Sequence, residues 1–338
     1  MSTLLLTGAT GSFGQAFVAR ALADHWYRRI IAFSDTEGNQ SAMKAKFPPS
    51  DRLEYFIGNV RDYDRVRQAM KAGVDVVVHA AAMKEVPTCE YDWSEAVATN
   101  VDGSRNVALA AVECGVPRAL LVSTDKAVEA VTEYGKTKAM AESWFIRTNR
   151  GYRDGKKPMG PVVYPERRPT GHTTALGVVR YGNVLASRAS LVPAVKAQLA
   201  AGTPVAVTDL RMTRFWWTLD AAVSFVRHVL VSFGPGQIWV PKVKAAPVVA
   251  VLQALSGGTT KIDVVGIRGT EKLHEALVAA DETRFVVDTG LAYVVAPANP
   301  SWPSHVPARW NPVPEEFRYR SDDERLWLTQ DELVGMLC

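Results

Sequence analysis

The chain runs an apolar stretch, Leu4–Thr7, straight into Gly8-Ala9-Thr10-Gly11-Ser12-Phe13-Gly14 and then into a helical pattern. A strand that enters a glycine-spaced turn and leaves as a helix is compatible with few architectures. Gly8 permits the tight turn, Gly11 lets the backbone approach a pyrophosphate, and Gly14 lets the helix pack on the strand. Free N–H groups and the dipole at the helix start favour a negative group there. Thr10, Ser12 and Phe13 share this turn and join the three glycines as dinucleotide-binding candidates. The plain alternative is a Gly-rich connection with no ligand, which the strand–helix junction argues against.

The same rhythm continues. Strands are expected at Leu4–Thr7, Ile30–Ser34, Leu53–Ile57, Val74–His79 and Ala119–Ser123, with helices near 13–24, 39–46, 62–71, 92–113 and 134–147. Asp62 and Asp92 stand at N-cap positions. This order predicts an α/β fold with a doubly wound parallel sheet and a smaller C-terminal substrate-binding lobe. With 338 residues and 47% hydrophobic content the chain can bury both cores. The expected division assigns 1–177 and 205–245 to the dinucleotide-binding domain, and 178–204 and 246–338 to the lobe. Residues 151–174, rich in Gly, Pro, Lys and Arg, form a loop insertion without periodicity, and a strand follows at Leu176–Tyr181.

Composition excludes several functions. A net charge of +4 with scattered basic residues gives no nucleic-acid footprint, although it suits an anionic small substrate. The longest apolar runs, Val74–Ala82 and Ala245–Leu255, are too short for a bilayer, so no membrane partner is expected. The start reads as a first strand and not as a signal peptide. Cys89, Cys114 and Cys338 show neither metal nor disulfide spacing; a cytoplasmic protein without a metal is expected.

Chemistry concentrates after the fifth strand, in Ser123-Thr124-Asp125-Lys126 and then Tyr134-Gly135-Lys136-Thr137-Lys138. Residues four apart share a helix face, so the Lys138 ammonium is expected to lower the Tyr134 phenol and to hold a nicotinamide ribose. Tyr134 then serves as a base near neutral pH. Alone, a Tyr-x-x-x-Lys pair reads as a solvated helix face. Behind a dinucleotide turn, and beside a strand-end Ser-Thr where doubly wound sheets bind ligands, it reads as catalytic. Asp125 and Lys126 are either an exposed ion pair of little worth or the acid and base of an elimination.

Longer motifs narrow the reading. These are His79-Ala80-Ala81-Ala82-Met83-Lys84-Glu85-Val86-Pro87, Thr99-Asn100-Val101-x-Gly103, and the Ser123–Lys138 stretch. They continue with Val179-Arg180-Tyr181-Gly182-Asn183-Val184…Ser187-Arg188, Thr208-Asp209-Leu210-Arg211-Met212-Thr213-Arg214-Phe215-Trp216, Gly266-Ile267-Arg268-x-x-Glu271-Lys272-Leu273-His274-Glu275 and Phe317-Arg318-Tyr319-x-Ser321-Asp322. Over almost the whole chain, apart from the 151–174 loop, the sequence resembles the inverting UDP-N-acetylglucosamine 4,6-dehydratases of pseudaminic acid and polysaccharide biosynthesis. These are extended short-chain dehydrogenase/reductases. It is similar to their soluble, Tyr-containing members and not to the membrane-anchored ones.

The resemblance implies a bound nicotinamide cofactor and no net redox change. It implies that Tyr134 removes the proton of the sugar 4-hydroxyl with Thr124 bonded to that oxygen. Lys126 would then take the proton on carbon 5, and Asp125 would protonate the departing 6-hydroxyl, with these two roles exchangeable. Reprotonation from the opposite face would invert carbon 5. Ser34, Asp35, Asn59, Val60, Ala80, Ala81, Ala82, Lys84 and Asn100 join the cofactor set. Lys84, Arg180, Asn183, Arg188, Arg211, Arg214, Arg268 and Glu271 form the UDP-sugar set, arginine being suited to bidentate phosphate contacts. His274 and Glu275 lack ligand partners nearby for a metal, and Trp216 and Trp217 read as packing residues. A homo-oligomer, dimer or higher, is expected.

Some positions depart from the family pattern. Asn59 stands where an Asp meets adenine, its carbonyl still able to accept, and Glu85 stands where His is frequent. At the end of strand two, Ser34-Asp35 and Asn39 replace an expected Ser-Arg and Lys. A carboxylate about 4 Å from a ribose 2′-phosphate would cost roughly 1–4 kcal/mol, so NAD is expected over NADP. Two other readings stay open: a UDP-sugar 4-epimerase, which needs no Asp125-Lys126 pair, and a non-catalytic dinucleotide-sensing module, which needs no Thr124, Tyr134 or Lys138.

Overall fold

The computed structural model describes residues 2–47, 50–149, 173–185, 191–258, 261–267, 269–298 and 306–337. Six strands, β1 (Thr3–Thr7), β2 (Arg29–Ser34), β3 (Leu53–Ile57), β4 (Val76–His79), β5 (Arg118–Val122) and β6 (Ala175–Val179), lie in the order β3-β2-β1-β4-β5-β6 with every neighbouring pair parallel. β1 is buried at all five positions, as a strand covered on both faces must be. Strand order reverses between β1 and β4, which opens a crevice beyond their carboxyl ends. The connecting helices are α1 (Ser12–Ala23), α2 (Glu37–Lys46), α3 (Tyr63–Met70), α4 (Val86–Tyr91), α5 (Trp93–Ala96), α6 (Gly103–Glu113) and α7 (Glu133–Thr148). The doubly wound architecture is the one the sequence predicts.

One expected helix is not continuous. Residues 92–113 form α5, a π-helical turn at Val97–Asp102, and then α6. The widened turn carries Asn100, which is fully buried. Asp62 caps α3 by accepting from the Arg65 N–H at 3.0 Å, whereas Asp92 makes no side-chain cap bond to α5.

The expected domain division needs correction. Beyond β6 the sheet continues with Ile238–Pro241, parallel, and then with Ala292–Val295, Val286–Asp288 and Asn311–Pro312, antiparallel. Part of 246–338 therefore completes the large sheet, because the apolar alternation around Gly290 makes a hairpin that covers its edge. Conversely, Val205, Val207, Met212 and Trp216 belong to a second core with Leu185, Val192, Val195, Val251, Leu252 and Leu333. The strand Thr213–Trp217 serves both cores: Phe215 and Trp217 enter the main one and Trp216 the second, following strand alternation. Trp216 and Trp217 are 3% and 7% exposed, so both are packing residues. Among the described residues no helix is long and apolar enough to cross a membrane.

Candidate active site

The floor of the crevice is built by β1 and β4. Gly8 has φ +69°, and a Cβ there would come within 2.7 Å of the Ala81 nitrogen, so only glycine lets the two strand ends touch. Beneath them runs a buried chain: Thr7 Oγ1 to His79 Nδ1 at 2.7 Å, and His79 Nε2 to Ser104 Oγ at 3.0 Å. Ser104 Oγ donates to the Asn100 carbonyl at 2.5 Å, so the consistent tautomer carries its proton on Nε2. Burial, helped by the Lys138 charge, pushes the His79 imidazole down to about 3 and keeps it neutral.

This surface fits a dinucleotide. The first turn of α1 has neither a side-chain cap nor an acidic residue, leaving its amides directed at the crevice beside Thr10, Gly11, Ser12, Phe13 and Gly14. The Ser34 hydroxyl, at the end of β2, is buried without a protein partner. Asp35 is exposed and accepts from Thr36 Oγ1 at 3.1 Å. The two lysines of α2 face elsewhere: Lys44 lies over the Tyr55 ring at 5.1 Å, and Lys46 Nζ bonds Gln15 Oε1 at 3.2 Å.

Two expected cofactor ligands have other duties. Asn59 Oδ1 accepts from the Arg61 backbone at 3.0 Å and from Arg61 Nε at 3.1 Å, so it is not the free adenine acceptor the sequence suggests. Asn100 bonds the Met83 N–H at 2.9 Å, the Met83 carbonyl at 3.0 Å and Thr137 Oγ1 at 3.0 Å. It pins the Ala80–Lys84 loop to α7 and does not point into the crevice. Val60 is buried against Gly103, Ala80, Ala81 and Ala82 line the loop, and Lys84 is exposed at its far end.

The catalytic candidates converge on the other wall. Thr132 caps α7 by accepting from the Gly135 N–H at 2.9 Å. A Cβ on Gly135 would run into the Lys126 carbonyl oxygen, so this glycine seats the helix directly on the Asp125–Ala127 turn. Tyr134 is thereby placed beside Thr124, Asp125 and Lys126. Burial raises its phenol to about 12, while Lys126 and the Thr124 hydroxyl pull it down. Lys126 is thus a cation that lowers the phenol, a partner that the Tyr-x-x-x-Lys spacing does not reveal. Lys138 Nζ donates to the Val122 carbonyl at 2.8 Å, and burial lowers it to about 8 against the opposing pull of Glu142.

Asp125 is wholly buried. Its Oδ1 accepts from Thr124 Oγ1 at 3.0 Å and from Lys126 Nζ at 3.0 Å, while Oδ2 has no partner. Burial raises its carboxyl above the ordinary range, with Lys126 working in the other direction. Lys126 also reaches Asn183 Oδ1 at 3.3 Å and Glu275 Oε1 at 3.4 Å. Although burial works against its charge, Asp125 and Glu275 hold the ammonium well above the usual lysine range. This is not an exposed pair of little worth.

Glu275 is the residue that sequence reasoning missed. It is 2% exposed and pairs with Lys126 and with Lys272 at 2.8 Å. Its signal, Lys272-Leu273-His274-Glu275, was visible but suggested only an unsupported metal ligand. His274 instead bonds Thr213 Oγ1 at 2.9 Å.

The arginines depart furthest from expectation. Arg180 lies buried between Glu142 (Nη2 to Oε2, 2.7 Å) and Glu282 (Nη1 to Oε2, 2.7 Å), with Ser123 Oγ donating to Glu142 Oε1 at 2.5 Å. Its guanidinium is engaged by protein carboxylates and has no fork left for a diphosphate. Arg214 is buried too, donating to the carbonyls of Thr213 at 2.8 Å, Leu273 at 2.9 Å and Lys272 at 3.0 Å. Arg180 ties α7 to the segment at Glu282, and Arg214 ties its strand to the Lys272–Leu273 segment. Arg211 is exposed and paired with Asp209 at 2.7 Å. Glu271 keeps a buried oxygen, Oε2, without a partner. Arg188, Arg268 and nearly all of the 151–174 loop lie outside the described residues.

Comparison with known proteins places the chain in a family. The family model described as polysaccharide biosynthesis protein matches residues 4–297. A UDP-N-acetylglucosamine 4,6-dehydratase (inverting) of Campylobacter jejuni is 34% identical over 99% of this chain and 96% of its own. A UDP-glucose 4-epimerase of Rickettsia akari is 36% identical over 86% of this chain and 82% of its own. Among solved structures, Pen from Bacillus thuringiensis superposes with TM-score 0.85 at 27% identity, covering 99% of this chain and 97% of that one. The dTDP-glucose 4,6-dehydratase DesIV of Streptomyces venezuelae, solved with NAD, shares the fold at TM-score 0.66 and 22% identity over 80% of this chain and 86% of its own. The fold and site define a nucleotide-sugar dehydratase or epimerase of the extended short-chain dehydrogenase/reductase type. The chain belongs to the polysaccharide biosynthesis protein family.

Proposed function

We propose that the protein is a UDP-N-acetylglucosamine 4,6-dehydratase that inverts carbon 5 and works with bound NAD in preference to NADP. The observation that carries this reading is the pair of buried Asp125 and half-buried Lys126, 3.0 Å apart and beside Thr124 and Tyr134. A 4-epimerase needs the tyrosine and the dinucleotide but has no use for a desolvated acid–base pair at the same spot. The dehydratase relative also matches the chain from end to end.

A nicotinamide dinucleotide held by the Gly8–Gly14 turn and Lys138 would supply the acceptor for the hydride from carbon 4 and its donor to carbon 6. The protein's own part is proton handling. Tyr134 takes the 4-hydroxyl proton, and Thr124 fixes that oxygen. Lys126 enters as an ammonium and must lose a proton before it can act as a base. Asp125 Oδ1 is in position to receive it, and burial has already raised that carboxyl. The transfer yields an amine to remove the carbon-5 proton and a carboxylic acid to protonate the departing 6-hydroxyl, which leaves as water.

Support for NAD lies in Asp35, which faces solvent at the end of β2 with neither Lys44 nor Lys46 turned toward it. Incubation with UDP-N-acetylglucosamine and mass analysis of the nucleotide sugar test the reaction. Loss of one water without accumulation of reduced nicotinamide is expected; an unchanged mass would reject it.

A further inference from the structure

Lys126 is reached from several elements. Asp125 lies on its own turn, Asn183 on the short strand Asn183–Val184, and Glu275 on the segment leading into the strand Ala276–Val278. Arg214, on the strand Thr213–Trp217, stands 4.0 Å from Glu275, and Tyr134 adjoins from α7. The Lys126 ammonium thus donates to Asp125 and Asn183 at 3.0 and 3.3 Å, with the Glu275 carboxylate forming an ion pair 3.4 Å away.

Glu275 is itself fixed from three directions. Its second oxygen pairs with Lys272 at 2.8 Å, and Lys272 also donates to the Val128 carbonyl at 2.8 Å, just past the Asp125–Ala127 turn. Its backbone N–H donates to Ser321 Oγ at 2.8 Å, beside the paired strand Tyr319–Arg320. Burial works against its charge, but Lys126, Lys272 and Arg214 keep the carboxyl below the ordinary range. A carboxylate so held cannot drift, and it sets the place and charge of whatever it touches.

We infer that Glu275 is a positioning residue for the elimination: it holds the Lys126 nitrogen against Asp125, and its charge governs how readily the Lys126 proton crosses to Asp125. In that crossing an Nζ–H bond breaks and an Oδ1–H bond forms. Ammonium and carboxylate become amine and carboxylic acid, and Glu275 stays a carboxylate throughout. The inference rests on the dehydratase reading above.

The test compares wild type, Glu275→Gln and Glu275→Asp for water loss from UDP-N-acetylglucosamine across pH. Glu275→Gln keeps the size and an acceptor oxygen but removes the charge that pairs with Lys126 and raises the Asp125 carboxyl, so Asp125 ionises at lower pH and takes the Lys126 proton less readily. The acid-side midpoint of kcat should fall by about one pH unit or more, and kcat at its plateau by about tenfold or more, with KM within about threefold. Glu275→Asp keeps the charge but shortens the reach, so kcat should fall with the wild-type pH profile. A Glu275→Gln enzyme with unchanged kcat and pH profile, or with only KM raised, overturns the inference. Should that variant not fold, Glu275→Asp decides alone, and an unchanged kcat overturns it. A wild type that releases no water overturns the dehydratase reading itself, which separates the two failures.

Discussion

Beneath β1 and β4, on the floor of the cleft, the buried hydrogen-bonding groups are neutral. Thr7, His79, Ser104 and Asn100 form one hydrogen-bonded chain, and the ligand surface above it is backbone. On the sugar side they are charged: Asp125, Lys126 and Glu275 in one cluster, Glu142, Arg180 and Glu282 in another. A dinucleotide that stays bound needs shape and amides, which glycines provide. A substrate that gains and loses protons needs ionisable groups whose charge is balanced before it arrives.

The largest expected effect breaks the charged side. Lys126→Ala should slow dehydration by about 10²–10⁴-fold, yet still allow reduction of bound nicotinamide on adding substrate, seen by absorbance. Tyr134→Phe should lose both steps. An ordinary dehydration rate in Lys126→Ala would remove this residue from the elimination.

Arg180 comes next. Arg180→Met leaves buried Glu142 and half-buried Glu282 without their cation, and should cost about 3–5 kcal/mol in denaturant unfolding. A ligand of the substrate would instead raise KM and leave the unfolding midpoint where it was.

The neutral side predicts a pH effect of definite sign. The folded protein keeps His79 neutral down to about pH 3, while an unfolded imidazole protonates near 6.5. The unfolded state therefore binds the extra proton between these values. Stability is full above about pH 6.5 and falls as pH drops through the window. From pH 7.5 to 5 this contributes about 2 kcal/mol. Between pH 7.5 and 5 the urea unfolding free energy of wild type should fall by about 2 kcal/mol more than that of His79→Asn, and parallel falls would show that His79 is not the cause.

The legibility of the two sides in the sequence differs for the same reason. Glycine spacing reports backbone geometry directly, so the turn at Gly8 and the doubly wound class of the first strands could be read without coordinates. Tyr134, Lys138, Thr124, Asp125 and Lys126 fall within one short stretch, and the fold brings them to one wall. An arginine, in contrast, looks the same in sequence whether it awaits a phosphate or faces a carboxylate. Arg180 has its partners on α7 and near residue 282, and Glu275 stands far from Lys126 along the chain, so neither pairing can be read from local spacing. The π turn at Val97–Asp102 was hidden because its apolar spacing imitates a continuous helix.

The smallest effect concerns cofactor choice. Stripped protein should recover activity with NAD at a concentration at least about tenfold below that of NADP, or roughly 1.4 kcal/mol. Direct titration by dinucleotide fluorescence should give the same order. Asp35→Ala should narrow the gap, and tighter binding of NADP by the wild type would overturn this role for Asp35.

Deuterium incorporation tests the dehydratase assignment most directly. In heavy water, UDP-N-acetylglucosamine should yield a 4-keto-6-deoxy product lighter by one water and carrying one solvent deuterium at carbon 5, as only a proton removed and returned there can give. A product of unchanged skeleton and mass, epimerised at carbon 4 with no deuterium at carbon 5, would contradict it.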